Sequence, residues 1–154
     1  MLPPSRRPSH YWSNKRLQNK EKAEDEFYIL ANYGNFFAHL RAATALADRA
    51  ALELDAQYEH SGDLASRAKV TAEGRGHAAE WVASVKVAAT DTALRVTSGV
   101  FEVTGARATA SKVGLDRFWR DVRTHTLHDP VAYKNRELGR YQLLGELPTP
   151  TWYT

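Results

Sequence analysis

The chain has 154 residues, of which 43% are hydrophobic and 25% charged, as is ordinary for a globular protein with one core. Its net charge of +3 is too small for the basic face of a nucleic-acid-binding protein. Cysteine is absent, which excludes disulfides and cysteine nucleophiles. Without a membrane-spanning apolar run or a secretory signal core, the sequence predicts a cytoplasmic protein that does not bind membranes.

Residues 1–22 contain three prolines and several basic side chains, and no apolar periodicity begins before Phe27. This segment is predicted to be an extended arm. From Ala23 to about His60 the pattern predicts one long amphipathic helix, which the Ser61-Gly62 pair ends. Its apolar or small positions recur at steps of three and four residues: Phe27, Leu30, Tyr33, Phe37, Leu40, Thr44, Ala47, Ala51, Leu54 and Tyr58.

A second helix, which Asp63 can cap, is predicted to continue to about Val103. Gly74 and Gly76 weaken its first turns, since each glycine costs up to about 1 kcal/mol relative to alanine. The well-formed part is therefore predicted to begin near His77.

The next break is at Gly105, and residues 106–113 are predicted to form a connecting loop. A third helix is predicted from about Leu115, and Pro130 either ends it or opens the fourth. The fourth helix runs from Val131 to about Leu144 and stops at Gly145. Its inward side chains are predicted to be Leu138, Tyr141 and Leu144.

These elements predict an all-α protein, an antiparallel four-helix bundle over residues 23–145, followed by an extended tail over residues 146–154. Helices as long as the first two usually bury their flanks against a partner chain. We therefore expect a homo-oligomer.

The loop GARAT, Gly105 to Thr109, has the groups that bind phosphate. The glycine frees backbone amides, Thr109 adds a hydroxyl, and Arg107 can grip phosphate with two parallel hydrogen bonds. The alternative is that Arg107 caps the preceding helix by bonding its last carbonyls.

Charged and ionisable side chains are most concentrated in the segment from Gly114 to Pro130, GLDRFWRDVRTHTLHDP. In a helix, His125 and His128 stand one turn apart on one face. A neighbouring stripe carries Arg117, Arg120 and Arg123. This pattern suits an anionic, redox-active or proton-transferring ligand, although a solvated helix packed through its aromatic residues would look similar.

The two histidines have further interpretations. A metal site would have only Asp129 as an obvious third ligand, so the sequence does not favour one. As structural residues, the histidines could hydrogen-bond at the helix end that Pro130 terminates. An aromatic substrate pocket is a further hypothesis, with the candidate lining Phe118, Trp119, Tyr133, Trp152 and Tyr153.

Three segments of the sequence resemble a known family: Val103 to Thr109 (VTGARAT), Phe118 to Pro130 (FWRDVRTHTLHDP) and Pro150 to Thr154 (PTWYT). Together they closely resemble the C-terminal helical domain of acyl-CoA-dehydrogenase-like flavin monooxygenases. The best-known members are the dibenzothiophene monooxygenases, which use reduced FMN. The resemblance extends from about Phe27 to Thr154 and is highly specific only from Val103 onward.

The resemblance implies that Arg107, with Ala108 and Thr109, binds the flavin phosphate. It implies that His128, supported by His125, lies at the reactive edge of the isoalloxazine and stabilises or moves a proton there. It also implies reduced FMN delivered by a separate flavin reductase, a small aromatic or heteroatom-containing substrate, and a homotetramer built as a dimer of dimers.

Two alternatives accompany this interpretation. Many acyl-CoA dehydrogenases carry a catalytic glutamate followed by glycine where, counting from Arg120, this chain has Asp129 and Pro130. The shorter carboxylate on a proline-restricted backbone favours oxygen insertion, and the alternative is an FAD enzyme with Asp129 as base. The other alternative is a non-catalytic helical assembly module.

Members of this family are considerably longer, with an N-terminal helical domain and a central β-domain. We therefore expect a C-terminal fragment, a truncated reading frame or a stand-alone descendant. A flavin held by one loop and one helix would be exposed to water, which argues against activity of this chain alone.

Overall fold

The computed structural model describes residues 22, 25–58 and 70–149. Over these ranges it has four α-helices, a short 3-10 helix between the second and the third, and no β-strand. The α-helices are α1 (Phe27–Tyr58), α2 (Ala72–Thr104), α3 (Asp116–His128) and α4 (Val131–Leu144), and the 3-10 helix is Ala106–Thr109. The predicted all-α helical bundle is confirmed. The predicted Asp63 cap, the Ser61-Gly62 stop and most of the arm lie outside the described residues.

Helix α1 packs a different stripe from the one that the apolar periodicity emphasised. Ile29 and Phe36 are buried and form a core cluster with Val103 of α2. The N-terminal part of the predicted stripe is exposed in the single chain: Phe27, Leu30, Tyr33, Phe37 and Leu40. We call these five residues the exposed stripe. Because α1 is apolar on two adjoining faces, periodicity locates the helix without showing which face meets its own chain.

Helices α1 and α2 are antiparallel. Among the contacts between them are Phe36 with Gly99, Arg49 with Trp81 and Gln57 with Gly74. Residue numbers rise along α1 as they fall along α2, which fixes the direction. A Cβ atom added at Gly99 would lie 2.7 Å from Cζ of Phe36, so this glycine lets the aromatic ring approach the α2 backbone.

Helix α2 begins at Ala72, earlier than the predicted start near His77. The Thr71 hydroxyl accepts a hydrogen bond of 3.0 Å from the Gly74 amide and so caps the first turn. Gly76 is buried, and a Cβ atom there would lie 2.8 Å from Cβ of Leu147. The prediction was wrong because the cap and the close packing of the glycines offset their low helix propensity.

The break predicted at Gly105 is confirmed. This residue has φ of 77° and donates its amide hydrogen to the Phe101 carbonyl at 2.8 Å. The predicted loop that follows begins with the 3-10 helix. Pro130 both follows α3 and precedes α4, with φ of −61°, and Gly145 ends α4 in the left-handed conformation.

Helix α2 lies at the centre and contacts α1, α3 and α4. His125 of α3 meets Lys86, and Tyr141 of α4 meets His77 in an edge-to-face contact with ring centroids 6.1 Å apart. The helices α3 and α4 therefore follow one another along α2 towards its N-terminus. Tyr141 and Leu138 are half-buried, whereas Leu144 is 61% exposed, contrary to its predicted inward position.

Candidate functional site

The Arg107 loop joins α2 to α3. Ala108 is 7% exposed and anchors the 3-10 helix, whereas its neighbour Arg107 is exposed. Among the described residues the Arg107 guanidinium has no ion-pair or hydrogen-bond partner. The loop therefore presents a cation to solvent at the C-terminal end of α2.

Two details of this loop refine the predictions. The Thr109 hydroxyl donates to the Ala106 carbonyl at 2.7 Å, so its hydrogen is engaged within the turn in this conformation. The capping alternative for Arg107 does not describe this structure, because no hydrogen bond joins its guanidinium to a carbonyl of α2 among the described residues, and the nearby donors there are backbone and hydroxyl groups. The Gly105 amide bonds Phe101, and the Thr104 hydroxyl bonds the Val100 carbonyl at 2.7 Å.

His125 is tied to α2 through Lys86. The ammonium nitrogen Nζ of Lys86 lies 3.3 Å from Nε2 of the imidazole and donates to the His125 carbonyl at 3.2 Å. Because an ammonium group only donates, Nε2 is the acceptor and a neutral His125 ring carries its proton on Nδ1. His125 is exposed, and within the described ranges its Nδ1 has no partner.

Sequence reasoning missed Lys86. A signal was present, since Lys86 is the only charged side chain between Glu80 and Asp91. A lone cation within an apolar helical run indicates a specific acceptor nearby. Its partner could not be identified from the sequence, because Lys86 and His125 lie 39 positions apart.

His128 is the last residue of α3 and is exposed, one turn beyond His125. Arg117, Arg120 and Arg123 are exposed as well, and Arg120 pairs with Asp116 at 3.3 Å within the helix. The outer surface of α3 therefore presents imidazole and guanidinium groups together, as the spacing predicted.

Arg107 and the histidines are not brought together within one chain. Lys86 lies near the middle of α2, and the axial distance from it to Thr104 is about 27 Å at about 1.5 Å per residue. After allowance for the lysine side chain, the His125 ring lies on the order of 20 Å from the Arg107 loop. One FMN molecule reaches both groups within a single chain only if the Arg107 side chain extends towards the histidines.

Asp129, the candidate base of the dehydrogenase alternative, follows α3 directly and is half-buried. Its Oδ1 atom is enclosed and has no hydrogen-bond partner in the described part of the chain.

The three described residues of the proposed aromatic lining lie on α3 and α4. Phe118 and Trp119 are 47% and 40% exposed, and the Arg117 guanidinium lies 4.9 Å from the centre of the Phe118 ring. Tyr133 borders an open groove of about 380 Å³ between α4 and the following segment. That groove includes neither Arg107 nor the two histidines. Trp152 and Tyr153 lie outside the described residues.

The described ranges contain no group of three or more histidine, cysteine or carboxylate residues arranged to hold a metal ion. None of the helices described is both long enough and apolar enough to cross a membrane.

Residues 9–132 match the family described as acyl-CoA dehydrogenase, C-terminal domain, and the chain belongs to this family. The resemblance seen in the three sequence segments is thereby confirmed. This chain is similar to the C-terminal part of flavin-dependent monooxygenases.

Three relatives illustrate the similarity. A dibenzothiophene monooxygenase from Mycolicibacterium goodii is 46% identical over 129 residues, covering 84% of this chain and 30% of the relative. A probable FMNH2-dependent monooxygenase, SfnC, from Pseudomonas putida is 42% identical over 90% of this chain and 33% of its own length. TdsC from Paenibacillus sp. A11-2, solved with FMN and indole, is 44% identical with a TM-score of 0.81, covering 95% of this chain and 35% of that one. The chain thus spans about a third of the length of these relatives.

Proposed function

We propose that this chain forms the flavin-binding and assembly domain of a reduced-FMN-dependent monooxygenase. The substrate class is a small aromatic or heteroatom-containing molecule, oxidised with dioxygen, and a separate reductase delivers the reduced flavin. The observation that carries the proposal is the exposed Arg107 guanidinium, which has no ion-pair partner among the described residues, together with the exposed His125 and His128. The chain that carries them is 44% identical to a protein solved with FMN.

The residues present fit the cofactor. Arg107 would hold the phosphate through two charge-assisted hydrogen bonds. His128 and His125 would face the isoalloxazine, where a neutral imidazole can donate a hydrogen bond or move a proton. When bound, reduced FMN supplies the electrons that activate dioxygen.

The separation of Arg107 from the histidines is the reason to place this site between two copies of the chain. One copy would contribute the phosphate-binding arginine and the other the histidines. The exposed stripe of α1 supports such an assembly, because monomeric soluble proteins rarely expose so continuous an apolar surface. Each dimer would then have two flavin sites, and two such dimers would form the proposed homotetramer.

The test is an anaerobic titration of the 154-residue chain with reduced FMN, followed by flavin absorbance and by ultracentrifugation. We expect saturable binding to an oligomer. An oligomer that does not bind flavin would instead support the assembly-module alternative. Binding of FAD together with bleaching of its absorbance by an acyl-CoA would support the dehydrogenase alternative and make Asp129 the base.

A further inference from the structure

Lys86 makes two hydrogen bonds to one residue of α3. Its Nζ atom donates to the His125 carbonyl at 3.2 Å and lies 3.3 Å from Nε2 of the same residue. The carbonyl belongs to the last turn of α3, where the final four carbonyls of a helix have no partner within the helix. A lysine from α2 therefore caps α3 from the side and holds the His125 ring at the same time.

We propose that Lys86 is a positioning residue that selects the tautomer of His125. With Nε2 engaged by the ammonium group, the neutral ring carries its hydrogen on Nδ1, and this N–H bond is the one left for a ligand. His125 thus offers a hydrogen-bond donor and no free acceptor. If the proposed function holds, His125 donates a hydrogen bond from Nδ1 to an acceptor atom of the flavin and does not act as a general base.

The anchored carbonyl has a second effect. His128 lies one turn further along the same helix face and ends α3. Because Lys86 fixes the start of that last turn, the backbone that carries His128 is held against α2. Lys86 therefore positions both imidazoles without itself facing the ligand.

The tautomer is measured directly by long-range proton–nitrogen correlation spectra of the full chain at about pH 8, above the ordinary titration range of imidazole. The His125→Asn variant assigns the signal. We expect the Nδ1–H form in the wild type and in Lys86→Arg, which keeps a donor, and the Nε2–H form in Lys86→Met. An Nε2–H ring in the wild type would overturn the inference, whatever the variants show.

Flavin binding gives an independent test. An asparagine amide can place its N–H near the position of imidazole Nδ1, whereas a glutamine amide reaches the position of Nε2. We expect His125→Gln to bind FMN several-fold more weakly than His125→Asn, and Lys86→Met to bind it about tenfold more weakly than the wild type. Equal losses in the two His125 variants would contradict the donor role.

The two tests separate this inference from the proposed function. If neither the wild type nor any variant binds FMN, the proposed function fails, and the tautomer measurement still decides the role of Lys86. If FMN binds but the wild-type ring is in the Nε2–H form, the positioning role fails alone. Circular dichroism of Lys86→Met and Lys86→Arg checks that both variants keep their helices.

Discussion

At Arg107 a long cationic side chain reaches solvent because the residue beside it, Ala108, is packed against the protein. The backbone of the turn meets its own hydrogen-bonding needs through Gly105 and Thr109, so the guanidinium is not required to stabilise it. A side chain that the fold does not use is available for a ligand. Arginine suits phosphate because its donors form a planar fork.

Replacing Arg107 by alanine is expected to weaken FMN binding on the order of tenfold to a hundredfold, the loss of one charge-assisted interaction. Arg107→Lys keeps the charge but not the fork, so an intermediate affinity is expected. Isothermal titration calorimetry measures both. Arg95→Ala, an exposed arginine of α2, is the matched control and should bind as the wild type does. Equal affinities for Arg107→Ala and Arg95→Ala would exclude the phosphate role.

Residue types alone identified the arginine and the histidines as candidates, because few side chains bind phosphate or exchange protons near neutral pH. They could not identify Lys86, since its role depends on a contact between α2 and α3. The engagement of the Thr109 hydroxyl within its own turn was equally hidden, because it depends on the 3-10 conformation of the loop.

The helices were largely predictable, since apolar spacing, glycine and proline mark their positions. The start of α2 was not, because the Thr71 cap and the packed glycines act against intrinsic propensity. Glycine in this protein has two different roles within helices. Gly99 admits the Phe36 ring, whereas a Cβ atom at Gly139 would meet no atom of the described residues within 4 Å.

This contrast gives a matched pair of variants. Gly99→Ala should lower the free energy of unfolding by about 1–3 kcal/mol, because the new methyl group overlaps the buried Phe36 ring. Gly139→Ala should raise it by up to about 1 kcal/mol through helix propensity. Urea denaturation measures both. If the two variants change stability in the same direction, the close approach at Gly99 is not the cause.

The Thr71 cap makes a separate prediction. Thr71→Ala removes the acceptor for the Gly74 amide and should destabilise the protein by about 1 kcal/mol, while Thr71→Ser keeps it. Hydrogen exchange at the first turn of α2 should rise in the alanine variant alone. If protection from hydrogen exchange in the first turn of α2 is the same in Thr71→Ala as in the wild type, the Thr71 cap does not stabilise the N-terminus of this helix.

For the whole molecule, the central position of α2 leaves the other helices with large outward surfaces. The exposed stripe of α1 and the arginine, histidine and aromatic residues of α3 are two such surfaces. The length of the first two helices predicted an oligomer. Which of the two apolar faces of α1 meets its own chain depends on where α2 packs. That choice is a tertiary property and could not be made from the sequence.

A charge in the exposed stripe should therefore dissociate the proposed oligomer. Leu30→Glu and Phe37→Glu are expected to give monomers by analytical ultracentrifugation, because an unpaired carboxylate in an apolar interface is strongly unfavourable. Asn35→Glu, on another exposed face of the same helix, should leave the assembly unchanged. Dissociation by Asn35→Glu alone would place the interface elsewhere.

The central claim, that one flavin site takes Arg107 from one copy and His128 from another, is tested most directly by mixing two defective variants. Arg107→Ala and His128→Ala should each bind FMN weakly. Hybrid dimers reassembled from equal amounts should recover about one quarter of the wild-type sites, because each hybrid has one intact site. Native mass spectrometry confirms that hybrids form. Hybrids that recover no FMN binding would contradict the shared site.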